Sequence, residues 1–145
     1  MGVCCGNRTV LCDQLGLLYG LCNKMSQSAR REALKRQLVE DRGDVCDFCG
    51  DFGATDMHEW LIKRSAVPKG RRQMKIFDER NCSLLHHACH MTHGQTKAMK
   101  EHLAEIFLER YGLADLLEFV EGLGLRDTSH AQFIRGKQNE EDGHV

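Results

Sequence analysis

The chain has 145 residues, of which 41% are hydrophobic and only 14 are Gly and 1 is Pro, a balance that fits one globular domain and excludes intrinsic disorder. No window approaches the roughly 18 apolar residues of a membrane-spanning helix. The formal net charge of −1 excludes a uniformly basic nucleic-acid binder, but residues 24–100 carry 15 basic and 10 acidic side chains while residues 101–145 carry 4 and 10, so only the middle of the chain has a field that attracts a polyanion.

Residues 1–24 are weakly patterned, broken by glycine and without a convincing secretory signal, and Gly6 stands where a lipidation signal at Gly2 needs Ser or Thr; they read as an N-terminal extension. Ser28 is expected to cap a basic helix over 29–41, with Ala33, Leu34 and Leu38 as its apolar edge and Arg30, Arg31, Lys35 and Arg36 on a solvated face. Arg42-Gly43-Asp44 ends it. Residues 54–62 read as a strand carrying Asp56, His58 and Glu59, residues 63–73 as a basic loop turning at Pro68-Lys69-Gly70, and residues 74–77 as a short second strand. Cys82 to Leu85 leads into a His-rich turn of helix that Gly94 interrupts. Met99, Leu103, Ile106, Phe107 and Tyr111 recur at helical spacing up to Gly112, and a second helix follows from Ala114 to Glu121. Beyond Arg126 the pattern predicts turn and loop, with a short element at 129–134 and a frayed tail from Arg135.

Eight Cys and eight His are many for such a chain, and they cluster. Cys46-Asp47-Phe48-Cys49 is followed by His86, His87, Cys89, His90 and His93 within eight positions. Thiolates and imidazoles so closely spaced converge on one tetrahedral ion more readily than they form a disulfide framework, which points to a reducing compartment. A thioredoxin-like redox pair is the competing reading of the CxxC. That chemistry wants the thiol at the start of a helix after a strand, whereas this motif follows a helix and precedes Gly50 and Gly53.

The order Cys46xxCys49, Asp56-Met57-His58-Glu59, Asn81, then His86-His87-Ala88-Cys89-His90-Met91-Thr92-His93 resembles the HNH nuclease family, in particular its phage and bacterial members with a zinc knuckle. The resemblance covers residues 45–94, and Asn81 stands nine residues before His90, as in that family. It implies an α+β fold, a small ββα-metal core with a zinc knuckle flanked by helices, within a unit of residues 25–112 that is followed by a C-terminal helix and tail over 113–145. It implies a structural Zn²⁺ and, at a second site, Mg²⁺ or another divalent cation. The implied activity is hydrolysis of DNA phosphodiester bonds by a general base together with that cation, which offsets charge on the phosphate.

The sequence departs from the family's pattern at two places. His86 stands where a third knuckle Cys is usual, so the expected zinc set is Cys46, Cys49, His86 and Cys89, with His87 as the competitor for His86. At the strand, either His58 is the base and Met57 has replaced a ligand, or His58 binds the cation and Glu59 is the base; both alignments stay open. The resemblance makes Asn81 the residue that fixes the metal loop, His90 a helix ligand and His93, three rather than four residues later, a further ligand or phosphate contact. Arg64, Lys69, Arg71, Arg72 and Lys75 lie between the active strands and are expected to hold the DNA backbone. Trp60 is expected in the core rather than stacked on a base, Cys82 as a core thiol, and His102, His130 and His144 in surface or core roles.

The expected partner is therefore DNA, with a phage packaging or replication component as a further partner, no membrane, and the cytoplasm, that of the host for a phage-encoded chain, as location. The alternative is a zinc-stabilised nucleic-acid-binding protein whose nuclease centre has decayed, and a weaker third reading is an interaction protein using the acidic helices at 101–121. Nothing in the pattern selects a target sequence, an oligomeric state, or nicking over double-strand cutting.

Overall fold

The computed structural model describes residues 25–143, the side chains of Arg71 and Arg72 excepted; the N-terminal extension and His144 lie outside the described residues. The chain enters through helix α1 (Gln27–Arg42), whose cap is Ser26 and not the expected Ser28: the Ser26 hydroxyl accepts from the Ala29 N–H at 3.1 Å, which leaves Ser28 inside the first turn. Leu34 and Leu38, one turn apart, are its buried face. A Val45–Phe52 bridge then closes a tight loop around Cys46 and Cys49, in which the Cys46 N–H donates to the Asp51 carbonyl at 2.8 Å.

Strand β1 (Asp56–Glu59) pairs antiparallel with β2 (Cys82–Leu85) in the register Asp56–Leu85, Met57–Leu84, His58–Ser83 and Glu59–Cys82. The first strand is shorter than the expected 54–62, because after Glu59 the chain leaves the ladder. Ile62 is instead held by a side chain: Asn81 Oδ1 accepts from its N–H and Asn81 Nδ2 donates to its carbonyl, both at 2.9 Å, while Nδ2 also donates to the Ile76 carbonyl at 3.0 Å. The second strand expected at 74–77 does not form. That stretch is the end of the short helix α2 (Arg71–Met74) and a turn in which the Phe77 N–H donates to the Met74 carbonyl, and its apolar pair, Ile76 and Phe77, is buried as core filling rather than as a sheet face. A 3₁₀ turn at Arg64–Ala66 precedes α2.

After β2 come α3 (His87–His93), α4 (Lys97–Gly122) and α5 (Ser129–Asp142). Thr96 caps α4 by accepting from the Met99 N–H at 3.2 Å. Gly112 breaks α4 at φ 79°, ψ 162°, a conformation open to glycine but strained for any side chain, so the run is two helical segments joined at the position where the sequence predicts an end. The expected frayed tail is helical through Asp142, because α5 buries Ala131 and Ile134 and packs along α4, with Lys137 Nζ 3.7 Å from Glu101 Oε1. No helix among the described residues is long and apolar enough to cross a membrane.

Met99, Leu103 and Phe107 of α4 and Met57, Leu84 and Leu85 of the hairpin belong to one buried apolar cluster, and Trp60 is in it as expected, its ring 5.0 Å from that of Phe107. Two polar junctions tie the elements together. Arg42, the last residue of α1, donates to the carbonyls of Glu79 at 2.8 Å and Cys82 at 3.1 Å and to the Tyr111 hydroxyl. Asp47, inside the CxxC, accepts from the Leu84 N–H at 2.9 Å and from Arg110 of α4 at 3.0 Å and lies 3.9 Å from Arg42. A donor on each of its two oxygens offsets the cost of burying this carboxylate.

Candidate metal centre and adjoining cleft

Cys46 and Cys49 come from the loop after α1, and His86 and Cys89 from the step between β2 and α3. One ligand atom from each lies within 4.8 Å of all the others, and this is the one such group of potential ligands found among the described residues. His86 Nδ1 is 3.2 Å from Cys49 Sγ and 4.0 Å from Cys89 Sγ, separations that suit donors arranged around a single tetrahedral ion at bond lengths of about 2.0–2.3 Å. The other ring nitrogen of His86 is 2.6 Å from the Phe52 carbonyl, so its N–H donates there and leaves Nδ1 bare for a metal. Burial pushes the Cys46 thiol up, but backbone donors at Cys49, His86 and Phe48 outweigh it and hold the thiol below its ordinary value. Cys89 is pushed up to about 11, first by burial and then by the crowding of Cys46 and Cys49. Three thiols packed together ionise fully only around a cation, and the donor set therefore fits zinc. His87, the competitor for His86, points elsewhere, to Asp56.

Beside this centre, α3 packs across the hairpin. Alternation along β1 puts Asp56 and His58 on one face and turns Met57 into the core, where it is buried. Asp56 Oδ2 accepts from Nδ1 of both His87 and His90 at 2.9 Å. The His90 hydrogen bond is the main cause that holds the Asp56 carboxyl down to about 2. Nδ1 of His90 is thus occupied by Asp56 and Nε2 is its other ring nitrogen, and the ring centroid lies 5.0 Å from that of His58. His58 is buried, and that burial, followed by the nearby His90 and Lys63, holds its imidazole down to about 4, neutral at pH 7.

A cleft of about 340 Å³ opens here, lined among others by Arg31, His58, Glu59, Lys63, Arg64 and His90. Glu59 Oε1 lies 3.7 Å from the Arg64 guanidinium yet is buried and accepts no hydrogen bond. Gly94, the cap of α3, lies against His90 so closely that a Cβ there would stand 2.5 Å from the His90 carbonyl oxygen and 2.7 Å from its Cδ2. His93 does not line the cleft; its ring lies 4.7 Å from that of Phe48, which also meets His102 edge-on at 5.5 Å. Asn81 is fully buried behind the hairpin on Ile62 and Ile76.

The basic loop residues are dispersed. Arg64 lines the cleft, Lys69 is exposed at the turn, and Lys75 reaches the Gly122 carbonyl at the far end of α4 at 3.4 Å. Arg71 and Arg72 begin α2, and their side chains lie outside the described part. Four residues carry the geometry without having been given a site role in the sequence: Asp56, Arg31, Lys63 and Gln95. Asp56 alone had a signal there, its position two residues before His58 on the same strand face.

The fold and centre define a small α+β domain with a two-stranded antiparallel sheet, flanking helices and a Cys₃His cluster that resembles a zinc-binding knuckle. Comparison with protein-family models, with characterised proteins and with solved structures finds no match to the chain.

Proposed function

We propose that the chain is a metal-dependent endonuclease of HNH type that hydrolyses DNA phosphodiester bonds, with residues 25–112 as its working unit. The observation that carries this reading is the cleft itself, where two histidines from strand and helix stand 5.0 Å apart beside a carboxylate whose buried oxygen has no hydrogen-bond donor. His58 and His90 are the residues we assign to a divalent cation, which when bound would offset charge on the scissile phosphate. Burial keeps His58 neutral, and the bond from His90 Nδ1 to Asp56 leaves Nε2 as the ring atom that His90 can offer an ion. Glu59 lines the same cleft as His58, which favours the alignment in which His58 is a ligand and Glu59 the base. Glu59 Oε1 then takes the proton of an attacking water, with the free acceptor that this step needs. Arg64 and Lys63 supply positive charge to the phosphate from the same cleft, and zinc at Cys46, Cys49, His86 and Cys89 holds α3 against the hairpin.

One observation favours the decayed, non-catalytic alternative. His93 packs on Phe48, so the cleft has two imidazoles where the resemblance implies three. Supercoiled plasmid incubated with Mg²⁺, Mn²⁺, Ni²⁺ or no added ion separates the two. The nuclease reading expects ion-dependent nicking or cutting that falls about 10²- to 10⁴-fold in Glu59→Gln and is also lost in His58→Ala and His90→Ala. A zinc-loaded wild type that binds DNA but cuts it with none of these ions overturns it.

A further inference from the structure

We infer that Arg31, contributed by α1 from outside the hairpin, binds a substrate phosphate in the cleft, so that the leading helix is part of the site. The inference rests on the nuclease reading for the identity of the ligand, a phosphodiester of DNA, but not for the existence of the anion site. Two buried side-chain polar atoms among the described residues lack a hydrogen-bond partner, Arg31 Nε and Glu59 Oε1, and both belong to residues lining the same cleft. Buried polar atoms are paired in the great majority of cases, and an unpaired donor and an unpaired acceptor in one cleft point to a ligand that satisfies both. The donor suits a non-bridging phosphate oxygen and the acceptor suits a water beside it.

The other cations of the cleft add charge to it but hold side-chain partners of their own across the fold. Arg64 faces the Glu59 carboxylate at 3.7 Å and the Phe77 ring at 5.5 Å, and Lys63 donates to Gln95. Arg31 has only a loose pair, 3.8 Å to Glu32, whose side chain is 52% exposed on the same helix. One arm of its guanidinium is anchored, since Nη2 donates to the Met57 carbonyl of β1 at 3.0 Å. That bond takes one of the two Nη2 hydrogens and fixes the plane of the fork, and the other stands beside a neighbouring N–H, of Nε or Nη1, as an edge whose geometry matches two phosphate oxygens. The competing account makes Arg31 a staple between α1 and β1, which changes stability but neither salt dependence nor substrate affinity.

The test uses the full, zinc-loaded chain as wild type, Arg31→Gln, Arg31→Lys and, as control, Arg36→Gln on the exposed side of the same helix. Binding to a short DNA duplex is measured against salt without divalent ion, and hydrolysis of bis(p-nitrophenyl) phosphate is measured with Mn²⁺. Arg31→Gln is expected to lower the slope of log K against log salt by about 1 and to weaken duplex binding about 5- to 10-fold at low salt. In hydrolysis it raises KM about as much, while Arg36→Gln leaves the ester reaction unchanged. Arg31→Lys keeps the slope but still loses several-fold in duplex affinity, because an ammonium cannot make the two-point contact; this variant decides the matter if Arg31→Gln fails to retain zinc. A wild type that hydrolyses nothing defeats the nuclease reading and leaves the binding arm in force. Unchanged slope and affinity in a zinc-loaded Arg31 variant, or a wild type that binds no duplex at low salt, overturn the phosphate assignment.

Discussion

Replacing Asn81 by Ala removes the clamp that stands in for strand pairing after Glu59. The side chain is fully buried and makes three hydrogen bonds, two to the Ile62 backbone at 2.9 Å and one to the Ile76 carbonyl at 3.0 Å. A buried donor or acceptor left unmet costs about 1–3 kcal/mol. The Ile62 N–H and carbonyl lose this partner outright, while the Ile76 carbonyl keeps a weak contact from the Cys82 thiol at 3.7 Å. The expected loss is about 4 kcal/mol, a large part of the stability of a small domain and on the order of 15 °C in Tm. Asn81→Asp sharpens the test, because it sets a carboxylate oxygen against the two carbonyls that received the amide N–H groups. That carboxyl must stay protonated to donate, so its pKa rises above the unfolded value of about 3.9, and the variant loses stability as pH rises through the folded value. Urea unfolding of the zinc-loaded proteins followed by circular dichroism at pH 5 and pH 8 reads both effects. A loss under about 1 kcal/mol for Asn81→Ala, or an Asn81→Asp variant as stable as wild type at pH 8, would refute the clamp.

Cys46→Ser or Cys89→Ser should release zinc and with it the cooperative unfolding transition, seen by elemental analysis and calorimetry; a metal-free variant with a wild-type transition contradicts the Cys₃His centre. His58 titrates near 4 folded against about 6.5 unfolded, so the unfolded chain binds the extra proton and stability from this group is lost as pH falls from about 6.5 to about 4, on the order of 3 kcal/mol. Unfolding free energies of wild type and His58→Gln compared at pH 7 and pH 4.5 isolate it, and parallel curves would remove the buried neutral imidazole. Gly94→Ala must push the end of α3 off His90, since the new methyl would stand 2.7 Å from the ring; a destabilisation of about 1–3 kcal/mol is expected, and an unchanged Tm would deny the close approach. Asp56→Ala should free the His90 ring to exchange tautomers, visible in its imidazole ¹⁵N shifts, whereas Asp56→Asn keeps an acceptor and the wild-type tautomer.

What the sequence exposes and what it hides divide along physical lines. The knuckle was legible because Cys46, Cys49, His86 and Cys89 are two close pairs, and a pair with two residues between its members almost dictates convergence on one ion. The end of the first α4 segment was legible because Gly112 adopts a backbone conformation that other residues avoid. The misplaced second strand, 74–77, failed because two adjacent apolar residues look alike whether they fill a sheet face or a buried turn, and the decisive partner, Asn81, lies outside the window. Helix α5 was legible only as a short element at 129–134 because just Ala131 and Ile134 mark its buried side, and the support of its second half comes from α4, as in the Lys137–Glu101 pair. Arg31 read as one basic residue on a solvated face; its role depends on where α1 crosses β1, which no local pattern encodes.

The separation of the two knuckle halves has a consequence for how the chain is made. Cys49 and His86 are 37 residues apart, and both strands of the hairpin are synthesised between the CxxC and Cys89 or end just before it. During translation Cys46 and Cys49 emerge before the other two donors, and the Cys₃His set is complete only once Cys89 has left the ribosome. Metal capture then closes a loop that already contains the whole hairpin, and Asp47, seated between the thiols, is ready to receive Arg110 as α4 follows. A chain interrupted before Cys89 lacks one of the four donors of this set, so the centre can form only after both strands of the hairpin have been made.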